Sequence, residues 1–210
     1  MEWLAHLKTS LFTPSGLQEM ITAGGYVVLV GIVFAESGLM FGFFLPGDSL
    51  LFMAGFVASP AFGHLHLPLL IAMLSIAAIA GDNLGYWIGT RVGAAIYGWE
   101  DGRVFKRKHL QRTKEFYEKH GGKAIVMARF VPIVRAFTPV VAGVAQMRYA
   151  RFLAFDIFGG VFWVSSMTLL GYFLGSVPVV QRNLEKAVLT VIFVSFLPIL
   201  IETWRSRRRS

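Results

Sequence analysis

The 210-residue chain contains no cysteine, and only 15% of its residues are charged. The first absence excludes disulfides, thiolate metal sites and cysteine nucleophiles, and it removes the usual clue to redox compartment. The second falls well short of the roughly 25% charged residues of an ordinary soluble domain. Histidine is also scarce: His6, His64, His66, His109 and His120 lie in polar or connecting stretches, none in HExxH spacing, which suits surface or interfacial roles better than metal binding. Acids are fewer than bases, 12 against 20, for a net charge of +8. The opening residues, MEWLAHLKTSLFTPSGLQEM, lack a basic n-region and a small-residue cleavage site. Residues 1–24 are therefore expected to form an amphipathic interfacial segment and not a removable signal.

What is present is apolar. Hydrophobic residues make up 55% of the chain and the mean hydropathy is +0.61, so the expectation is an all-α integral membrane protein of one domain. The apolar runs differ in length, and a span needs about 20 residues. Gly25 to Leu45 is followed by the turn PGD and by a run, Leu50 to Ala58, too short to cross alone. Together they predict a re-entrant helical hairpin, with Leu67 to Gly93 crossing after it. Glu100 to Lys123 holds eight Lys or Arg against four Asp or Glu, and RTKEFYEKH within it has the pattern of an amphipathic surface helix. Ala124 to Met147, interrupted by prolines, predicts a second hairpin; Arg151 to Val177 crosses, and Ala187 to Trp204 crosses again before the tail RSRRRS. Basic stretches beside apolar spans point to the cytoplasmic face and away from nucleic acid. Trp3, Trp99 and Trp204 fit interfacial anchors.

An internal repeat is visible. GYWIG at Gly85 to Gly89 recurs as GYFLG at Gly171 to Gly175, and Glu36 precedes Pro46 by the same interval as Arg129 precedes Pro139. An odd number of crossings between the copies inverts the second, which predicts an inverted-topology repeat of hairpin plus crossing helix. The four glycines are expected to let helices pack closely.

Four ionisable residues fall inside the hairpins: Glu36, Asp48, Arg129 and Arg135. At about 2.5 to 3.5 kcal/mol each in a membrane helix they need partners or water. Two acids in one hairpin and two bases in the other suggest tips that face each other around a shared polar pocket. Buried ion pairs that merely join the hairpins are the plainer alternative, although such pairs often add little stability. Arg129 and Arg135 would sit about 120° apart on an unbroken helix; Pro132, between them, is expected to kink the chain and turn both toward one site. Pro46 with Gly47 is expected to break the first hairpin in the same way, and Pro139 the second. Asp48 also suits a plain helix cap. Paired guanidinium groups beside free backbone amides favour a phosphate. Burial and the arginines pull the protonation of Glu36 in opposite directions, which suggests a switch: protonated acids admit the anion, ionised acids reclaim the arginines. Asp82, in AGDNLGYW, is a secondary candidate that serves equally well as a helix-to-helix hydrogen bond. Asp156, in FLAFDIFGG, is expected near the cytoplasmic surface as an ordinary carboxylate.

The runs FAESGLMFGFFLPGDSLLFMAG, AGDNLGYWIGTRVG, FYEKHGGKAIVMARFVPIVRAFTPVVAG and RFLAFDIFGGVFW resemble the DedA family, bacterial relatives of the VTT-domain scramblases, over about Gly25 to Gly175. The resemblance implies facing hairpins and translocation of undecaprenyl phosphate or a phospholipid across the bacterial cytoplasmic membrane, driven by the proton-motive force. It puts the functional acids on Glu36 and Asp48 and the functional arginines on Arg129 and Arg135. Asp156 stands where the family pattern leads one to expect asparagine. The implied partners are a lipid phosphate, protons and membrane lipids, with a homo-oligomer left open, and no cofactor or metal. Two other functions compete: a proton-coupled ion transporter or antiporter, which leaves the arginines unexplained, and a polyprenyl pyrophosphate phosphatase, for which the paired histidine-arginine signature is missing.

Overall fold

A computed structural model describes residues 14–39, 47–63, 65–97, 123–129, 131–183 and 186. The first thirteen residues, the basic stretch 98–122, the predicted crossing 187–204 and the tail 205–210 lie outside them, as do Pro46, Trp3, Trp99 and Trp204. Seven helices carry the rest: α1 Pro14–Gly38, α2 Gly47–Val57, α3 Leu67–Tyr97, α4 Lys123–Ala128, α5 Pro132–Val144, α6 Tyr149–Gly175 and α7 Pro178–Arg182. The protein is an all-α membrane protein: α3 and α6, 31 and 27 residues long, are apolar enough to cross and run about 46 and 40 Å, more than a bilayer core of about 30 Å. Their outward faces carry bare apolar side chains, among them Ile76, Trp87, Phe158, Phe162 and Phe173, which water would penalise and lipid accepts.

α1 is long enough by residue count to cross, but its contacts give it a different path. Gly25, at φ 53°, bends it into two pieces, a backbone conformation open to glycine. Beyond the bend, the Tyr26 hydroxyl accepts a 2.7 Å bond from the His66 amide at the start of α3, and Gly38 abuts Gly81, about halfway along α3. The chain then returns through α2, so the first hairpin turns back at mid-depth. Before the bend, Leu17 and Ile21 are buried in the core, so residues 14–24 pack as part of the bundle where a purely interfacial segment was expected. The second hairpin breaks at Arg129 to Val131, where Arg129 lies against Gly159 and Gly160 near the middle of α6.

The two halves are exchanged and inverted. α2 lies along α6 in the same direction, Phe52 against Gly171 and Phe56 against Gly175; α5 lies along α3 in the same direction, Val140 against Gly89 and Val144 against Gly93. α3 and α6 run oppositely, since Tyr86 stacks on Phe152 at 4.6 Å while Ile79 meets Gly160. Each short helix thus packs on the long helix of the other half. At these crossings a Cβ on Gly55 or Gly171 would strike a backbone carbonyl of the partner helix, and so would one on Gly143 or Gly89.

The packing register differs from the one the repeated words suggest. Gly55 with Phe52 corresponds to Gly143 with Val140, and Gly171 corresponds to Gly89, one turn beyond the Gly85 that the GYWIG and GYFLG words align. Pro139 likewise falls opposite Leu51 of the first half and not Pro46. Close backbone approach sets the register, and a word alignment is blind to it. Two expected helix breaks also change character. Pro132 opens α5 at its first turn, where its missing N–H costs nothing, so the chain breaks before it. Pro139 sits inside an unbroken α5, its ring carbon resting against Gly85 of α3; that packing offsets the lost bond to the carbonyl four residues back.

Candidate functional site

Both arginines come from the second hairpin, Arg129 at its break and Arg135 just beyond it in α5, while the first hairpin brings Glu36 and Asp48. Arg135, in the first turns of α5, opens its fork between the two ends of the first hairpin: Nη1 donates to Asp48 Oδ1 at 2.6 Å and Nη2 to Glu36. Glu36 is 2% exposed, and its carboxylate lies so close to Gly47 that a Cβ there would overlap it. Glycine at 47 therefore makes room for the acid as well as opening α2. The guanidinium Cζ of Arg135 stands 4.7 Å over the Trp163 ring, and the Trp163 indole donates to Asp48 Oδ1 at 2.9 Å. Asp48, in the first turn of α2, holds an ion pair beyond any capping role.

Arg129 departs from the expected arrangement. Its partners are not the acids of the first hairpin but one carboxylate from each long helix: a single nitrogen, Nη2, donates to Asp82 of α3 and to Asp156 Oδ1 of α6, the latter at 2.5 Å. Asp156 is 1% exposed, which corrects its placement at the surface: the hairpin tip reaches mid-depth, and the level of Asp156 on α6 faces that tip. Asp82 is tied into the same ion pair, where a neutral hydrogen bond between helices was the alternative. The expected chamber exists except that Asp48 does not line it and meets it only through Arg135. Glu36, Asp82, Arg129, Arg135 and Asp156 line one cavity together with Ser37, Thr138 and Trp163.

Two features of that chamber bear on chemistry. Its free volume is ≈ 10 Å³, the room about one water occupies, so the arginines are occluded, each held by two acids. Four carboxyls face two guanidiniums, a formal excess of two negative charges where two pairs were expected. Among the described residues, Glu36 Oε2, Arg129 Nε and Asp156 Oδ2 are buried without a hydrogen-bond partner, and no set of three or more His, Asp or Glu side chains gathers as metal ligands.

Sequence reasoning passed over Trp163 and misplaced Asp156, although one signal links them. Residues 156, 159, 160 and 163 share a helix face by their spacing of three, four and seven. An acid, two glycines and a tryptophan on one stripe describe a seat for long cations: Arg129 lies along Asp156, Gly159 and Gly160, and Arg135 stands over Trp163.

Residues 45–173 match the VTT domain. The chain is 44% identical to Protein DedA of Escherichia coli K12 over 195 residues, which is 91% of this chain and 89% of that protein. It is 45% identical over 177 residues to an uncharacterized membrane protein of Mycobacterium leprae, 84% of this chain and 78% of the other. With the inner membrane protein YghB of Escherichia coli K12 it shares 36% over 182 residues, 85% of this chain and 79% of that one. No solved structure matches the chain. The match to the domain over more than half the chain, with the near full-length identity to Protein DedA, shows that the chain belongs to the DedA family of VTT-domain membrane proteins.

Proposed function

We propose that this protein is a proton-coupled transporter that moves a lipid phosphate, undecaprenyl phosphate or a phospholipid, across the bacterial cytoplasmic membrane. The observation that carries the reading is the placement of Arg129 and Arg135, two largely buried guanidiniums that the second hairpin brings to one cavity, where Arg135 meets the acids of the first hairpin. Guanidinium forks match phosphate oxygens, and the carboxylates now on them compete for the same donors. In the occluded form the acids hold the arginines. Protonating them frees the donors for the phosphate, and releasing the protons on the other side returns the arginines to the acids and expels it. The acyl or prenyl tail stays in lipid beside the apolar outer faces of α3 and α6. The inner membrane location named for the relative YghB agrees with this setting.

One observation favours a second reading, a proton-coupled cation transporter: the excess of acids over arginines in the cavity gives it a cation-attracting balance. Reconstitution separates the two. Liposomes carrying the full chain, labelled undecaprenyl phosphate or a labelled phospholipid, and an imposed pH gradient are expected to show lipid movement that collapses without the gradient. Arg129→Ala and Arg135→Ala should each abolish it while the protein stays folded in the membrane, and Glu36→Gln should alter its pH profile. Cation flux without lipid movement would replace the first reading by the second.

A further inference from the structure

Arg129 and its two carboxyls form a unit apart from Glu36 and Asp48, which hold Arg135. Asp82 Oδ2 and Asp156 Oδ1 both rest on the one nitrogen Nη2 of Arg129. Two carboxyls that converge on a single donor atom lie close together, and like charges at that separation oppose double ionisation. Both residues are nearly excluded from solvent, at 4% and 1% exposure, so water relieves little of the repulsion. The second oxygen of Asp156, Oδ2, is buried with no hydrogen-bond partner among the described residues. An ionised oxygen left bare in that way loses its solvation with nothing in return, whereas an O–H has no charge to solvate.

The surrounding charges do not cancel the excess. α1 presents Glu36, α2 presents Asp48, α5 presents Arg135, and Arg135 is already engaged by both of those acids. Arg129, from the break after α4, is the cation in contact with the pair, and it neutralises one carboxylate of the two.

We infer that Asp82 and Asp156 together bind one proton, held at Asp156 Oδ2, forming a second proton site on Arg129 that is separate from Glu36 and Asp48. The ligand is a proton that joins the carboxylate pair as a neutral carboxyl, and Arg129 stays charged throughout. The two arginines then have matching equipment, each flanked by two acids, and the cavity has the means to exchange a proton at either arginine. The inference rests on the transporter reading for its purpose, but the bound proton itself does not need transport to be observed.

The test is infrared difference spectroscopy of the purified full-length chain between mildly acidic and mildly alkaline buffer, reading the carbonyl stretch of protonated carboxyls. Asp156→Asn preserves the shape of the side chain and its acceptor toward Arg129; Asp82→Asn does the same from the other helix and serves where the first does not elute as the wild type does. Each is expected to remove one titrating carbonyl component that Glu36→Gln leaves in place. A carbonyl spectrum unchanged by both asparagine variants would overturn the second site. Loss of the component without lipid movement in liposomes would leave the proton site standing and count against the transporter reading alone.

Discussion

Arg135 and Arg129 carry the same charge in different ways, and lysine at each position separates them. Arg135 uses two nitrogens, Nη1 for Asp48 and Nη2 for Glu36, with its plane stacked over Trp163. An ammonium is a compact point charge and cannot occupy both nitrogen positions, so Arg135→Lys strands one carboxylate. A hydrogen bond to a charged group is worth about 1.5 to 3 kcal/mol net. At about 2 to 4 °C per kcal/mol for a chain of this size, the loss corresponds to roughly 3 to 12 °C in the thermal midpoint. Arg129 holds both of its acids from the single nitrogen Nη2. An ammonium reaches one bond less far than Nη2 but can still face both acids from one point, so Arg129→Lys should cost less than Arg135→Lys. The assay is the fraction of full-length protein in detergent that still elutes as the native species after stepwise heating. Equal losses, or a larger loss for Arg129→Lys, would refute the distinction between a forked and a single-point clamp.

The packing register makes its own forecast: Gly171→Val and Gly89→Val should destabilise alike, by about 1 to 3 kcal/mol of overpacking, because each new Cβ meets a backbone carbonyl. Gly85→Val should cost less, since a Cβ there meets the Pro139 ring carbon at 3.2 Å; the same heating assay ranks the three. Trp163→Phe keeps a ring under Arg135 but removes the indole donor to Asp48, at a cost of about 1.5 to 3 kcal/mol, and a wild-type melting midpoint in that variant would remove Trp163 from the clamp. Because the chain has no cysteine, single labels are clean. Ala61→Cys, between α2 and α3, and Ala150→Cys, at the start of α6, should react with an impermeant maleimide from opposite sides of the membrane, and labelling from one side would contradict the inverted arrangement.

Much of this was legible in the residues. The lengths of the apolar runs marked α3 and α6 to within a few positions, because burial in lipid requires uninterrupted apolar side chains and helical hydrogen bonding. The two hairpin tips were legible for the converse reason: Glu36, Asp48, Arg129 and Arg135 are too costly in a bilayer to be there without partners. What stayed hidden is partner choice. Asp156 looked like a surface acid because distance along the chain from a basic stretch says nothing of depth, and Pro139 looked like a break because local hydrogen bonding says nothing of the helix packed against it.

The sequence by itself determined that the chain is a helical membrane protein, that it doubles back twice, and that charge of both signs is buried where it does so, since hydropathy and proline are local properties. Only the tertiary structure decided that each short helix packs on the other half's long helix, that glycine contacts set the register of the repeat, and that Arg129 is held by Asp82 and Asp156 while Arg135 holds Glu36 and Asp48. Those outcomes depend on which backbones approach closely enough for a carbonyl to meet a glycine, and on which carboxylates then lie within reach of a guanidinium.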